Sequence, residues 1–361
     1  MKIGILGASG QAGRRIARLL ARETPCDLVL IGRNDEKLAS ARKEITEASS
    51  RSFPCVIADA SKKDEIAAAI KGLDLLIIAI SSADYLENIV LAALEAHVDC
   101  LDILLSSSYK RALLELKREI LWQEGVCYIT DGGYHPGVPA AMVMLAEKLC
   151  PGLTRADVFG SFSVNWKDVP FSKETGEDFV RELTSMNMSA FMGGKWVNSW
   201  NNMKRFDFGD DVGVKDCYAF GMDEMLLLPE KIPTLKNTGF YIAGFGWFMD
   251  YIVMPLSLAC LKASPSSLPL VTKAFVWSLK CFGGKKNWCL LKLDGQSASD
   301  AISITLSYPD TYELTALPVV ACVKQYMDSP KRAGLWHQAH YVEPARFIAD
   351  LKTMGVKIEI G

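Results

Sequence analysis

Up to Thr130, short apolar runs alternate with longer stretches in which apolar positions recur every three or four residues. Runs at 2–6, 27–31, 55–57, 73–80, 98–101 and 126–129 have the length and aliphatic, partly β-branched content of strands buried on both faces. The segments 62–71, 84–96 and 109–123 between them carry helical periodicity. Alternation of the two element types predicts an α/β architecture, a doubly wound parallel sheet with helices on both faces. Ligands of such sheets lie beyond the carboxyl ends of the strands.

Beyond Thr130 the pattern changes. Asp131-Gly-Gly-Tyr-His-Pro-Gly-Val-Pro139 is a corner rich in Gly and Pro that leads into a helix at 140–149 and carries the chain out of the first domain. Strands are predicted at 157–164, 196–197, 290–293 and 301–306, with helices between, and Gly193-Gly194 and Asp294-Gly295 read as hairpin turns. This region is expected to be α+β with a mixed or antiparallel sheet. A long helix is predicted at 312–327, and another from Val342 returns the tail to the first domain. Residues 245–261 are strongly apolar, but Asp250 and Pro255 interrupt them and they fall short of the roughly 20 residues of a membrane span. They are expected to form a buried helix or the wall of an apolar pocket, the alternative being a lipid-facing rim of Trp247, Phe248 and Tyr251.

The most informative local motif joins the first strand to the first helix. Gly7-Ala8-Ser9-Gly10-Gln11-Ala12-Gly13 places three glycines at the spacing G-x-x-G-x-x-G. In a dinucleotide-binding βαβ unit such glycines permit a tight turn, a close approach of backbone to pyrophosphate, and close packing of helix on strand. The anion then sits on a helix N-terminus. The fold class is therefore α/β, a Rossmann-type doubly wound parallel sheet with an inserted α+β domain. The expected domains are 1–131, completed by 332–361, and an inserted substrate and dimerisation domain at 132–331. After the second strand stands Gly32-Arg33-Asn34, with no carboxylate for a ribose 2′-OH and a guanidinium suited to a 2′-phosphate, so NADP(H) is the expected cofactor. Further contacts are expected from Asp59 to the adenine edge and from Ser81 and Ser82 to the nicotinamide ribose or the diphosphate. The plainer roles for these three are helix capping and turn closure.

Composition narrows the class. With 361 residues, half of them hydrophobic, the chain is long enough for two domains. Lys+Arg 40 against Asp+Glu 42 leaves no net field that would attract nucleic acid or an anionic membrane. Ten cysteines without zinc-like pairing fit free thiols in a reducing cytoplasm, and Lys2 already lies within the first strand, so no secretory leader is read. No Tyr has Lys four residues later, which disfavours the short-chain dehydrogenase proton relay, and no Gly-x-Ser-x-Gly elbow offers a hydrolase nucleophile. His337 and His340 share a spacing but lack a supporting ligand, so no metal is expected.

Taken together, Gly7 to Gly13, Gly132-Gly-Tyr-His-Pro-Gly-Val-Pro-Ala140, Tyr312-Glu-Leu-Thr-Ala-Leu-Pro-Val-Val320 and the tail 334–355 resemble the saccharopine dehydrogenase-like oxidoreductases over nearly the whole chain. The resemblance implies an NADP-binding Rossmann domain built from the N-terminal part and the tail, with a catalytic α+β domain inserted. It also implies hydride transfer to or from a C–N bond of a small amino-acid-derived metabolite. Two departures stand out: His135 occupies a place in the corner that the family often fills with an acidic or apolar residue, and the fourth strand ends in Ile80-Ser81-Ser82-Ala-Asp84.

Hydride transfer needs one group that gives or takes a proton. The candidates are His135 and Tyr134 in the corner and Asp102 after the fifth strand, with Glu224 a weaker one. Asp102 is expected to pair with a substrate amine, to orient His135, or to cap the next helix. Two other functions fit the same residues, a reductase of an apolar or lipid-like carbonyl or enoyl substrate and a non-catalytic NADPH sensor. A small-molecule substrate and a homodimer are the expected partners.

Overall fold

A computed structural model describes every residue of the chain except 168, 170–175, 178–179, 182–186, 200, 210–211, 247 and 285. It divides into two compact units, Met1–Ala141 with Tyr312–Gly355, and Met142–Thr311 with Val356–Gly361.

In the first unit, β1 (Lys2–Leu6), α1 (Gln11–Glu23), β2 (Asp27–Gly32), α2 (Asp35–Ser49), β3 (Cys55–Ile57), α3 (Lys63–Ile70), β4 (Leu75–Ile78), α4 (Leu86–Ala96), β5 (Asp99–Asp102), α5 (Ser108–Gln123) and β6 (Cys127–Thr130) follow in order. The strands form a seven-stranded sheet ordered β15-β6-β5-β4-β1-β2-β3, in which β15 is Gly334–His337 and every neighbouring pair is parallel. The central strand β4 is buried along its full length, as its unbroken Leu-Leu-Ile-Ile requires. Ile16, Leu19 and Leu20 turn one face of α1 inward, while Ile66, Ile70, Leu86, Ile89 and Val90 from α3 and α4 join the core over β4. β15 extends the sheet beyond β6, a strand not read from the sequence because four residues with mixed polarity carry little periodicity. The helix Thr311–Asp328, which holds Pro318 within it, also belongs to this unit from Tyr312 on.

In the second unit, β10 (Met203–Asp207), β11 (Val214–Ala219), β12 (Asn237–Ala243), β7 (Arg155–Ser163), β13 (Trp288–Gln296), β14 (Ala301–Tyr308) and β16 (Lys357–Ile360) lie side by side in that order. The hairpin of β8 (Ser189–Met192) and β9 (Lys195–Asn198) attaches to β12. Only β7 and β12 pair in parallel along the path, so the sheet is mixed.

The structure corrects three local readings. Gly193-Gly194 does turn the β8–β9 hairpin, but Asp294-Gly295 lies inside β13, where Asp294 receives two hydrogen bonds from Arg155. The turn falls at 297–300 instead, closed by Ser297 Oγ accepting from the Asp300 N–H. Of the tail expected to complete the first domain, the helix Pro344–Thr353 lies in the first unit, but 356–361 belong to the second, where β16 pairs antiparallel with β14. Finally, the apolar segment 245–261 is not a buried helix: a π-helical turn at Met249–Val253 leads into a helix at Met254–Ala263 of which only Ser257 is buried. Trp247 lies outside the described residues.

Candidate active site

The glycine turn after β1 is packed to the limit. The N–H groups of Gly7 and Ala8 both donate to Ile31 O, at 2.9 and 3.2 Å, and Gly10 N–H donates to Gly7 O at 2.9 Å. Gly7 has φ +88°, and a Cβ there would stand 2.4 Å from Ala79 O; a Cβ on Gly13 would stand 2.3 Å from Gly7 O. Glycine is thus required at two of the three positions, Gly7 by the turn and Gly13 by the approach of α1, whereas a Cβ on Gly10 would stand a tolerable 3.2 Å from Gly7 O. The N-cap Gly10 has no side chain to satisfy the helix, and the first turn of α1 holds no carboxylate. Its leading N–H groups, from Gln11, Ala12 and Gly13, have no intrahelical acceptor and carry the positive end of the helix dipole. Gln11 Oε1 is engaged by Arg15 at 2.6 Å. A diphosphate fits this cradle on backbone donors alone.

The other residues singled out for the cofactor lie in the loops after β2, β3 and β4. Arg33 is exposed, with no ion-pair partner among the described residues. Asn34 caps α2, its Oδ1 accepting from Lys37 N–H at 2.9 Å. Asp59 Oδ1 accepts from both the N–H and the hydroxyl of Ser61, and these bonds, followed by lesser Coulombic help from Lys62 and Arg33, lower its pKa. Ser82 Oγ accepts from Asp84 N–H, closing the turn after β4, and Ser81 beside it is exposed.

At the carboxyl ends of β5, β6 and β15 the sheet gathers a group of charges that the sequence does not announce. Lys110, in the first turn of α5 and almost fully buried, places Nζ 2.7 Å from Asp102 Oδ1, 3.0 Å from Asp131 Oδ1 and 2.6 Å from Leu104 O. Asp131 Oδ1 also accepts from Ser106 Oγ at 2.8 Å, and its Oδ2 lies 2.7 Å from His337 Nδ1. Burial opposes the charge on Lys110, but attraction from Asp102 and Asp131 outweighs it and raises the pKa. Burial likewise works against ionised Asp131, and Lys110 with His337 reverses this, holding the carboxyl well below the usual range. Asp131 has φ +58°, an uncommon left-handed conformation for a non-glycine residue at a site where three partners over-determine it.

This arrangement redirects the expected chemistry. Asp102 is fully buried and committed to Lys110 and the Leu104 N–H, rather than to His135; the cap of α5 is Ser107, accepting from Lys110 N–H. Tyr134 is buried with its ring 3.9 Å from that of His135. Desolvation lowers the pKa of His135 to about 4, so its imidazole is neutral near pH 7 and is a poor proton donor there. The corner is pinned by Gln338, whose side-chain amide accepts from Gly133 N–H at 3.2 Å and donates to Gly133 O at 3.0 Å. Glu224 is buried in the second unit. His337, Lys110, Ser106 and Gln338 are the residues missed. Lys110 left a trace as a lysine three and four residues before Leu113 and Leu114 on the inward stripe of α5, and His337 was noticed only for its spacing to His340.

Residues 3–128 match the saccharopine dehydrogenase NADP binding domain family. The fold is similar over 100% of this chain and 99% of the other to apo histidine-tagged saccharopine dehydrogenase (L-Glu forming) from Saccharomyces cerevisiae, with a TM-score of 0.68 at 12% identity. Weaker likeness extends to a multiple mutant of meso-dapdh with DAP from Clostridium tetani E88, with TM-score 0.48, 11% identity and 96% and 95% of the two chains covered. A Gfo/Idh/MocA family oxidoreductase from Vibrio cholerae has TM-score 0.44 at 12% identity, covering 98% and 95%. No curated protein matches in sequence.

Proposed function

From a chain that carries the NADP-binding domain of the saccharopine dehydrogenase-like family, we propose an NADP(H)-dependent oxidoreductase that transfers hydride to or from a C–N bond of a small amino-acid-derived metabolite. The observation that carries this reading is the placement of the glycine cradle and the His337–Asp131 pair on the same carboxyl edge of one parallel sheet. The family match and the whole-length fold similarity to a saccharopine dehydrogenase support it.

In this reading the backbone N–H groups at the start of α1 hold the diphosphate, and Arg33 pairs with the 2′-phosphate. When bound, the nicotinamide supplies or accepts the hydride. His337 handles the proton of the substrate nitrogen. An Nδ1–H donated to Asp131 fixes the ring and leaves Nε2 as the acceptor, and the carboxylate stabilises the imidazolium that forms when Nε2 takes the proton. Lys110 keeps Asp131 ionised and in place, so it acts as a positioning residue. His135 remains neutral beside Tyr134 and shapes the corner.

The test is NADPH oxidation by the purified full chain against a panel pairing amino acids with 2-oxo acids, with apolar enones as a second panel. Turnover with an amino acid and oxo acid pair is the expected result. Turnover confined to the enones, or NADPH binding without turnover on either panel, would overturn the C–N assignment.

A further inference from the structure

In the second unit, two helices expose apolar residues on the side where a surface helix ordinarily carries charge. The helix Leu268–Phe282 buries Val271, Phe275 and Leu279, yet its opposite stripe, Leu270, Ala274, Trp277 and Cys281, is also apolar and exposed. Leu270 is 72% and Trp277 59% exposed. The neighbouring helix Met254–Ala263 repeats this, with Leu256 61% exposed and Ala259 and Ala263 following it at helical spacing. Phe282, itself exposed, joins the two surfaces, its ring 4.5 Å from Phe248 and 6.0 Å from Trp277. Scattered single apolar residues on a surface need no explanation, but a continuous doubly apolar helix pair does.

Charge identifies what covers it. From Tyr251 to Leu293 the sequence contains six lysines and no Asp or Glu, in a chain whose acidic and basic residues nearly balance overall. Lys262, Lys273 and Lys286 are exposed around the apolar stripes. Asp216 accepts from Tyr251 OH, and Asp250 from the N–H groups of Phe245 and Gly246. A protein–protein interface core is depleted in Lys, whereas an interfacial helix combines Trp, Phe and Leu with Lys that reach past the apolar face to phosphate groups. No described helix is long and apolar enough to cross a membrane, so contact lies in the surface plane.

We propose that the helix pair Met254–Ala263 and Leu268–Phe282 docks this protein on an anionic lipid surface, with Leu256, Leu270, Trp277 and Phe282 entering the interface and Lys262 and Lys273 facing the headgroups. This rests on the second unit alone and is independent of the redox assignment.

The experiment is cosedimentation of the full chain with vesicles of phosphatidylcholine alone and of phosphatidylcholine with phosphatidylserine. Binding to the anionic vesicles is expected, weakened by salt and by Lys262→Glu with Lys273→Glu about fivefold or more per charge. Leu270→Glu and Trp277→Glu, both at exposed positions, are expected to reduce binding at least tenfold while NADPH affinity, which reports on an intact fold, stays unchanged. No binding to either vesicle, equal binding to both, or binding indifferent to these variants would overturn the proposal. So would a solution dimer that Trp277→Glu dissociates, which would make the occupant a second copy of the chain.

Discussion

Asp131 Oδ2 meets His337 Nδ1 at 2.7 Å across 206 positions of sequence. The contact exists because β6 and β15 run side by side in parallel and Thr130 is in register with His337, so the residue after β6 is delivered to the end of β15. Replacing His337 with Gln is expected to lower kcat by about 100-fold or more, the usual contribution of a general acid–base group. The dissociation constant for NADPH should stay within about twofold, since the cradle is untouched. Stopped-flow turnover and calorimetry on the same variant check both halves, and unchanged kcat would remove His337 from the proton path.

Arg33 governs the second prediction. Arg33→Asp exchanges a charge-assisted bond for repulsion and is expected to weaken NADPH binding by about 10- to 100-fold while NADH binding holds or improves. Titration with the two nucleotides reads the reversal directly. Retained NADPH selectivity would mean that another residue reads the 2′-phosphate.

Lys110 is a buried cation between two buried carboxylates. Lys110→Met removes the charge and leaves Asp102 without its cation and Asp131 with His337 and Ser106 alone, at an expected cost of about 3–5 kcal/mol in urea unfolding. The double change Lys110→Met with Asp102→Asn is expected to recover part of that loss. If the single variant were as stable as the parent, the cluster would have no structural weight.

Acid should destabilise the first unit in two stages. His135 has a folded-state pKa lowered to about 4, so between about pH 6.5 and pH 4 the unfolded chain binds a proton that the native chain refuses. Its stabilising contribution is therefore complete above pH 6.5 and is lost as pH falls through 4, on the order of 2–3 kcal/mol. Asp131, held below the usual carboxylate range, adds a loss only under about pH 4. Urea melts of the parent and of His135→Asn at pH 7 and 4.5 should show a smaller pH effect in the variant.

The amino-acid sequence by itself determined the parallel sheet and its glycine turn, because β1, β2 and β4 are local apolar runs and because Gly7 takes a positive φ in the turn while Gly13 answers a steric demand that arises within one βαβ unit. The inserted region was legible as mixed α and β, but the Asp294-Gly295 pair misled: two turn-forming residues sit in β13, where pairing on both sides overrides local preference. His135 drew attention through its chemistry, while His337 looked ordinary. Only the tertiary structure decided that Asp102, Lys110, Asp131 and His337 form one group, because these side chains meet through strand order and through the return of the chain after residue 311. The same holds for Leu270 and Trp277, since periodicity marks a helix as apolar but cannot tell which of two apolar faces the core will take. Local sterics and periodicity act between near neighbours and are written in order along the chain, whereas electrostatic pairing and burial depend on distances that exist only once the sheet has assembled.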